Sequence, residues 1–119
     1  MPNRVLVVDD DFDIRTMLGL TLELEGYTVE LAAHGGDALD RLRADPHAQI
    51  ILLDLRMPVM NGWQFREAQR GDPSIADIPV VVLSGDGDVA KETTSIGASS
   101  FLKKPVDLDE LVRKVSAYY

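Results

Sequence analysis

The chain has 119 residues, no cysteine and a formal net charge of −8 at pH 7. That length suits one domain able to bury its own core. The lack of cysteine excludes disulfides, zinc–thiolate sites and thiol catalysis, and it fits a reducing compartment. The acidic balance speaks against direct contact with nucleic acid, whose phosphates it repels. The longest apolar stretches, such as Pro79 to Leu83, are far too short to cross a membrane. The opening Met1-Pro2-Asn3-Arg4 leads into an apolar run of only four residues, so no signal peptide is visible. A cytoplasmic protein is expected.

The first apolar run, Val5-Leu6-Val7-Val8, reads as a strand. Asp11 to Glu25 reads as a helix, with Ile14, Met17, Leu18, Thr21, Leu22 and Leu24 as its apolar stripe and Gly26 where a C-terminal cap belongs. Thr28-Val29-Glu30-Leu31-Ala32 is the second strand, and Gly36 to Ala44 the second helix, turned inward on Ala38, Leu39 and Leu42. Ile50-Ile51-Leu52-Leu53 is the third strand. Gly62 to Arg70, with Trp63, Phe65, Arg66 and Ala68, is the third helix. Val80-Val81-Val82-Leu83 is the fourth strand. Asp88 to Ile96 follows, rich in threonine and poor in large apolar residues, and reads as a short, marginal helix ended by Gly97. Ser100-Phe101-Leu102 is the fifth strand. The last helix opens on Asp107-Leu108-Asp109-Glu110, a capping-box spacing with Asp in place of Ser, and its inner face is expected to carry Leu108, Leu111, Val112 and Val115.

Strand and helix thus alternate five times. Alternation of this kind predicts an α/β fold with a parallel sheet and right-handed crossovers. Three of the runs are apolar at every position, as expected of strands covered on both faces. No linker, repeat or low-complexity segment interrupts the pattern, so residues 1–119 are expected to form one (βα)5 unit.

Ligands of open α/β sheets bind beyond the carboxyl ends of the strands. The residues found there are Asp9, Asp10 and Asp11 after the first strand, Asp54 after the third, Ser84 and Gly85 after the fourth, and Lys103, Lys104 and Pro105 after the fifth. Side by side, the central strands would bring several carboxylates, a hydroxyl and an ammonium to one edge. Clustered carboxylates are costly when ionised unless a cation joins them. Magnesium takes oxygen ligands, and Asp9, Asp10 and Asp54 fit its needs; Mn2+ could substitute. A lysine and a hydroxyl in the same cleft could hold phosphoryl oxygens, which makes the set an aspartate nucleophile with an electrostatic clamp.

Each of these residues also has a purely structural reading. Asp9, Asp10 and Asp11 could cap the first helix and oppose its dipole. Asp54 could be a turn residue, Ser84 to Gly87 a flexible loop, Lys103 a solvated surface charge and Phe101 a core side chain. Their joint placement at the strand ends is what favours chemistry. His34 and His47 fall elsewhere and are given no catalytic role. The chain has no P-loop, no G-x-G-x-x-G after its first strand and no Ser-His-Asp spacing.

The chain resembles the response-regulator receiver domain of two-component signalling, from Val5 to Val115. The resemblance is carried by Val7-Val8-Asp9-Asp10-Asp11, by Asp54-Leu55-Arg56-Met57-Pro58-Val59-Met60-Asn61-Gly62, by Leu83-Ser84-Gly85 and by Phe101-Leu102-Lys103-Lys104-Pro105. It implies a flavodoxin-like, doubly wound sheet in the order 2-1-3-4-5. It implies that Asp54 is phosphorylated, with a phosphohistidine on a sensor histidine kinase or a histidine phosphotransfer protein as donor. Magnesium would be bound by Asp10, Asp54 and the backbone carbonyl of Arg56, with Asp9 acting through a metal-bound water. Lys104 would pair with the phosphoryl group beside a cis bond to Pro105. Ser84 would swing to a phosphoryl oxygen, with Phe101 turning inward behind it as the second switch residue. Arg56 and Asp86, at positions that vary in the family, would tune the lifetime of the phosphorylated state. The surface around the fourth helix and fifth strand would change for a downstream protein target. The weak 88–96 helix is the expected moving element. A homodimer through the last helix and its neighbours is compatible with the sequence.

Two other readings compete. A haloacid-dehalogenase-like phosphatase also uses an Asp nucleophile with magnesium, and Asp9-Asp10-Asp11 contains its D-x-D pattern, but the chain is short for a cap and a full core. A pseudo-receiver used only for protein contact usually lacks an acidic residue or the lysine, and here all are present. A flavin-binding reading is weaker, because acidic residues at the first strand end would repel a cofactor phosphate. Turnover of a separate substrate is not expected.

Overall fold

The computed structural model describes residues 3–85 and 89–118. The elements alternate along the chain as β1 (Arg4–Val8), α1 (Phe12–Leu24), β2 (Thr28–Ala32), α2 (Gly35–Ala44), β3 (Ile50–Asp54), α3 (Gly62–Arg70), β4 (Val80–Ser84), α4 (Val89–Ile96), β5 (Ser100–Lys103) and α5 (Leu108–Ser116). The five strands form one sheet in the order β2-β1-β3-β4-β5, and every neighbouring pair is parallel. This is the α/β, flavodoxin-like arrangement and strand order expected from the sequence.

The three central strands are buried at every position. Successive side chains of a strand point to opposite faces. Val5, Val7, Ile50, Leu52, Val81 and Leu83 therefore meet Leu18 and Leu22 of α1 and Leu111 and Val115 of α5 on one face. Leu6, Val8, Ile51, Leu53, Val80 and Val82 meet Leu39 and Leu42 of α2, Phe65 of α3 and Ile96 of α4 on the other. Full burial of each such Leu, Ile or Phe contributes roughly 1.5–3 kcal/mol. The edges differ: β2 carries the polar Thr28 and Glu30, and only Ala32 of that strand is fully inside, which blunts an edge open to pairing.

Two helix faces differ from expectation. Met17 and Leu24 of α1 are exposed, as is Leu108 of α5. Leu18 and Leu22 fix the inward direction of α1, and Leu24 lies about 200° round the helix from Leu22. Leu108 is the first residue of α5, before that helix reaches the core. Between α3 and β4, Ile75 and Ile78 are buried core residues of a turn segment that periodicity does not reveal.

Helix ends follow the sequence closely. Asp11 accepts from the Ile14 amide, Asn61 from Gln64, and Asp107 from Asp109 and Glu110. His34 caps α2 through Nδ1, which accepts from the Asp37 amide. α4 has its C-terminal end held from outside: Arg66 and Arg70 of α3 donate to the Ile96 carbonyl at 3.3 and 2.9 Å, and Arg66 also donates to Gly97 at 3.0 Å. Gly97 takes φ +72°, a backbone conformation that favours glycine, and a Cβ there would displace the Arg70 guanidinium that binds Ile96.

Candidate functional site

The strand order reverses at β1 and β3, and the carboxyl ends of those strands carry the acidic residues. Asp9 directly follows β1 and is fully buried. Its amide donates to the Ala32 carbonyl at 3.1 Å, its Oδ1 accepts from the Asp11 amide at 2.9 Å, and its carbonyl accepts from Arg15 at 2.8 Å. Asp10 is exposed and faces the cavity. Asp54 is the last residue of β3 and is 6% exposed. The chain after it is fixed by the Gly62 amide, which donates to the Leu55 carbonyl at 2.9 Å. A Cβ on Gly62 would stand 2.8 Å from Leu55 Cα and 2.9 Å from the Asp54 carbonyl, so only glycine lets α3 start this close to the acidic strand end. Between them Val59 has φ +70°, a left-handed conformation that costs a β-branched residue.

Lys104 follows β5 and reaches across two strands. Its ammonium lies 2.9 Å from Asp9 Oδ2 and 3.5 Å from Asp54 Oδ1. Its own amide donates to the Ser84 carbonyl at 2.9 Å, and the Lys104–Pro105 bond is cis. Ser84 ends β4, is buried, and donates through Oγ to Glu92 Oε1 at 3.3 Å. Arg56 donates to Glu92 Oε2 at 2.7 Å, and its guanidinium lies 5.5 Å from the centre of the Trp63 ring. The Arg56 amide donates to Asp54 Oδ1 at 3.3 Å. Asp10, Asp11, Ile14, Asp54, Arg56, Ser84, Gly85 and Lys104 line a cavity of about 310 Å³.

The carboxylate oxygens of Asp9, Asp10 and Asp54 lie within 4.8 Å of one another. One ammonium cannot neutralise three carboxylates at that range. Asp54 shows the imbalance: burial and the neighbouring Asp9 charge push its pKa up to about 6, against the pull of Lys104 and the Arg56 amide, with Asp10 adding to the rise. Burial works against the Lys104 ammonium. Its hydrogen bond to Asp9, with the charges of Asp54 and Asp9, nonetheless holds it above the usual lysine value. Oxygen-only donors, close-set and in excess of positive charge, suit a hard divalent cation of magnesium's kind.

The structure thus brings Asp9, Asp10, Asp54, Arg56, Ser84 and Lys104 together. Asp11 belongs to the helix cap, and Lys103 is exposed. Phe101 lies in mid-β5, partly exposed, packed against the core on the α2–α4 side, with Lys114 Nζ 5.7 Å from its ring centre. Asp86 lies outside the described residues. His34 serves as a cap, and His47 is exposed beside Asp45. Sequence reasoning missed two contributors. Arg15 secures the Asp9 carbonyl, and its place four residues after Asp11 was the available signal. Glu92 gave no signal, since nothing in a sequence pairs residue 92 with residues 84 and 56.

Among the described residues, no helix is long and apolar enough to cross a membrane. The family model of the response regulator receiver domain matches residues 5–116. The chain is similar to the response regulator MprA of Mycolicibacterium vanbaalenii, with 36% identity over 119 residues that cover 98% of this chain and 50% of that protein. It thus spans about half the length of the first curated relatives it matches. In three dimensions it is similar to the chemotaxis protein CheY4 of Vibrio cholerae, at a TM-score of 0.90 and 31% identity over 100% of both chains. It is equally similar to a response regulator receiver protein from Pseudomonas putida, at a TM-score of 0.90 and 32% identity over 98% of each chain. With a family match over nearly its whole length, this chain belongs to the response regulator receiver domains.

Proposed function

We propose that the chain is a phospho-acceptor signalling switch in which Asp54 takes a phosphoryl group from a phosphohistidine of a sensor kinase or phosphotransfer protein. One observation carries this reading: Lys104 spans Asp9 and Asp54 at the mouth of a cavity walled by carboxylates. An Oδ of Asp54 attacks phosphorus, the bond from phosphorus to the imidazole nitrogen breaks, and the imidazole leaves with the electron pair. Asp54 must be ionised to attack, and a pKa of about 6 leaves it mostly so at neutral pH. Lys104 moves from pairing with carboxylates to pairing with a phosphoryl oxygen. Ser84 donates to another, and Phe101 follows it inward.

Asp10, Asp54 and the Arg56 carbonyl would hold magnesium, with Asp9 behind them. That ion neutralises charge on the carboxylates and on the incoming phosphoryl oxygens. Arg56 and Asp86 tune how long the phosphoryl group survives. A downstream protein reads the changed surface around α4 and β5. The chemistry is self-directed, with no turnover of a separate substrate, and its setting is cytoplasmic. A phosphatase built on the first-strand aspartates fits less well, because Asp9 is fully buried and ion-paired, which leaves it poorly placed to attack an ester.

The test is intact mass after incubation with acetyl phosphate and magnesium. One base-labile phosphoryl adduct is expected on the wild type, none on Asp54→Ala and none with EDTA. A folded wild type that never gains mass would overturn this reading in favour of the pseudo-receiver.

A further inference from the structure

α4 carries a carboxylate that the proposed phosphotransfer does not use. Glu92 lies on the middle of α4, and its side chain is only 14% exposed. Its two oxygens have different partners. Oε1 accepts from the Ser84 hydroxyl at 3.3 Å, and Oε2 accepts from the Arg56 guanidinium at 2.7 Å. These donors come from the end of β4 and from just beyond β3, and both line the cavity onto which Asp54 opens. Glu92 thus gathers, from outside that cavity, two donors that stand at its wall. The Trp63 ring, 5.5 Å from the Arg56 guanidinium, supports the same arrangement from α3.

A serine hydroxyl has one proton to donate. While that proton goes to Glu92, it does not go to a phosphoryl oxygen. A guanidinium committed to one carboxylate in a fixed geometry is likewise not free to turn to another anion without breaking that pair. We propose that Glu92 is a positioning residue that competes with the phosphoryl group on Asp54 for the Ser84 proton and the Arg56 guanidinium, and so sets the balance between resting and phosphorylated forms. The inference rests on the reading of Asp54 as the phospho-acceptor. Coupling of this kind is reciprocal. A phosphoryl group that captures Ser84 takes one of the two donors from a largely buried carboxylate, and the tie from α4 to β4 goes with it. Conversely, weakening Glu92 as an acceptor makes the phosphorylated form easier to reach.

The test is a titration of the whole chain with beryllofluoride and magnesium, followed by the emission of Trp63, its one tryptophan. Beryllofluoride stands in for the phosphoryl group on a carboxylate. Glu92→Gln keeps the shape of the side chain and removes its charge. It is expected to bind the probe about fivefold tighter than wild type, the size of one net hydrogen bond. Glu92→Ala should gain at least as much, and it serves as the second variant should the first fold poorly. In a Ser84→Ala background the gain should shrink to the share of Arg56, because one of the two contested donors is gone. Glu92 variants that bind no tighter, or that gain as much without the Ser84 hydroxyl, would overturn the inference while leaving Asp54 as acceptor. A wild type that takes no beryllofluoride would instead remove Asp54 as acceptor, and this inference with it.

Discussion

Buried charge sits at both ends of the same sheet, and the two ends treat it differently. At the amino end, Arg4 on β1 is 7% exposed. Its guanidinium pairs with Glu30 on β2, donates to the Asp45 carbonyl at 2.6 Å and to the His47 carbonyl at 3.1 Å, and lies 3.7 Å from the Asp45 carboxylate. Glu30 is shared in turn with Arg41, which also binds Asp37. Positive and negative groups alternate there, and the loop before β3 closes over them. At the carboxyl end, three carboxylates cluster beside an open cavity with one lysine, which pairs with two of them, and Val59 nearby holds a left-handed backbone. One end spends its charge on holding the fold together. The other keeps an unbalanced charge that a cation and a phosphoryl group could relieve, and such stored imbalance is characteristic of functional sites.

If that contrast is right, changes at the two ends should separate function from stability. The largest effect is expected from Lys104→Ala. Uptake of phosphoryl from acetyl phosphate, read by mass, should slow by on the order of 100-fold or more, while the melting temperature stays within a few degrees of wild type. The amino end should behave oppositely. Arg4→Met leaves the Asp45 and His47 carbonyls without this donor and Glu30 with Arg41 alone, and should lower unfolding free energy in urea by about 3 kcal/mol, with phosphoryl uptake unchanged. A fall in uptake there would show that the two ends are not independent.

The third effect concerns pH. Folding raises the Asp54 pKa from 3.8 to about 6. A carboxyl raised in this way supports the fold below its unfolded pKa, and that support is lost as pH climbs through the folded value. In EDTA, Asp54→Asn should therefore be more stable than wild type at pH 7 to 8, by on the order of 2 kcal/mol. The advantage should shrink as pH falls below about 6 and be gone near pH 4, as thermal melts would record. Added magnesium should erase much of the gap at pH 7. A gap that stayed constant across this range would mean that Asp54 is not charged against its surroundings. The smallest effect is at the loop: Val59→Gly should stabilise the chain by about 1 kcal/mol by releasing the left-handed strain.

Much of this was legible beforehand, for identifiable reasons. Strands such as Ile50–Asp54 are apolar at every position because both faces are covered, and that leaves a mark in one dimension. The residues at strand ends could be read as neighbours because parallel topology puts all carboxyl ends on one edge. Side chains that act across the chain were not legible. Arg4 looks like the polar start of a strand until Glu30, Asp45 and His47 close around it. Gln69 looks like a surface residue of α3, yet it is fully buried and donates to the Ile75 and Ile78 carbonyls. Met17, Leu24 and Leu108 look apolar enough for the core and face outward, because composition does not say how far round a helix the core extends. Glu92 belongs with these, since its partners are eight and thirty-six residues away.

The grip of Arg66 and Arg70 on the last carbonyls of α4 has a mechanical consequence. A rod fixed at one end can move only by turning about that end. The fulcrum here is at Ile96 and Gly97, where the two arginines of α3 bind. Along a helix with a rise of about 1.5 Å per residue, Glu92 stands roughly 6 Å from that fulcrum, and the first turn of α4 nearly twice as far. Letting go at Glu92 would therefore act partway along a lever. Whatever shift occurs at Glu92 would be enlarged at the first turn of the helix, where a partner protein could feel it.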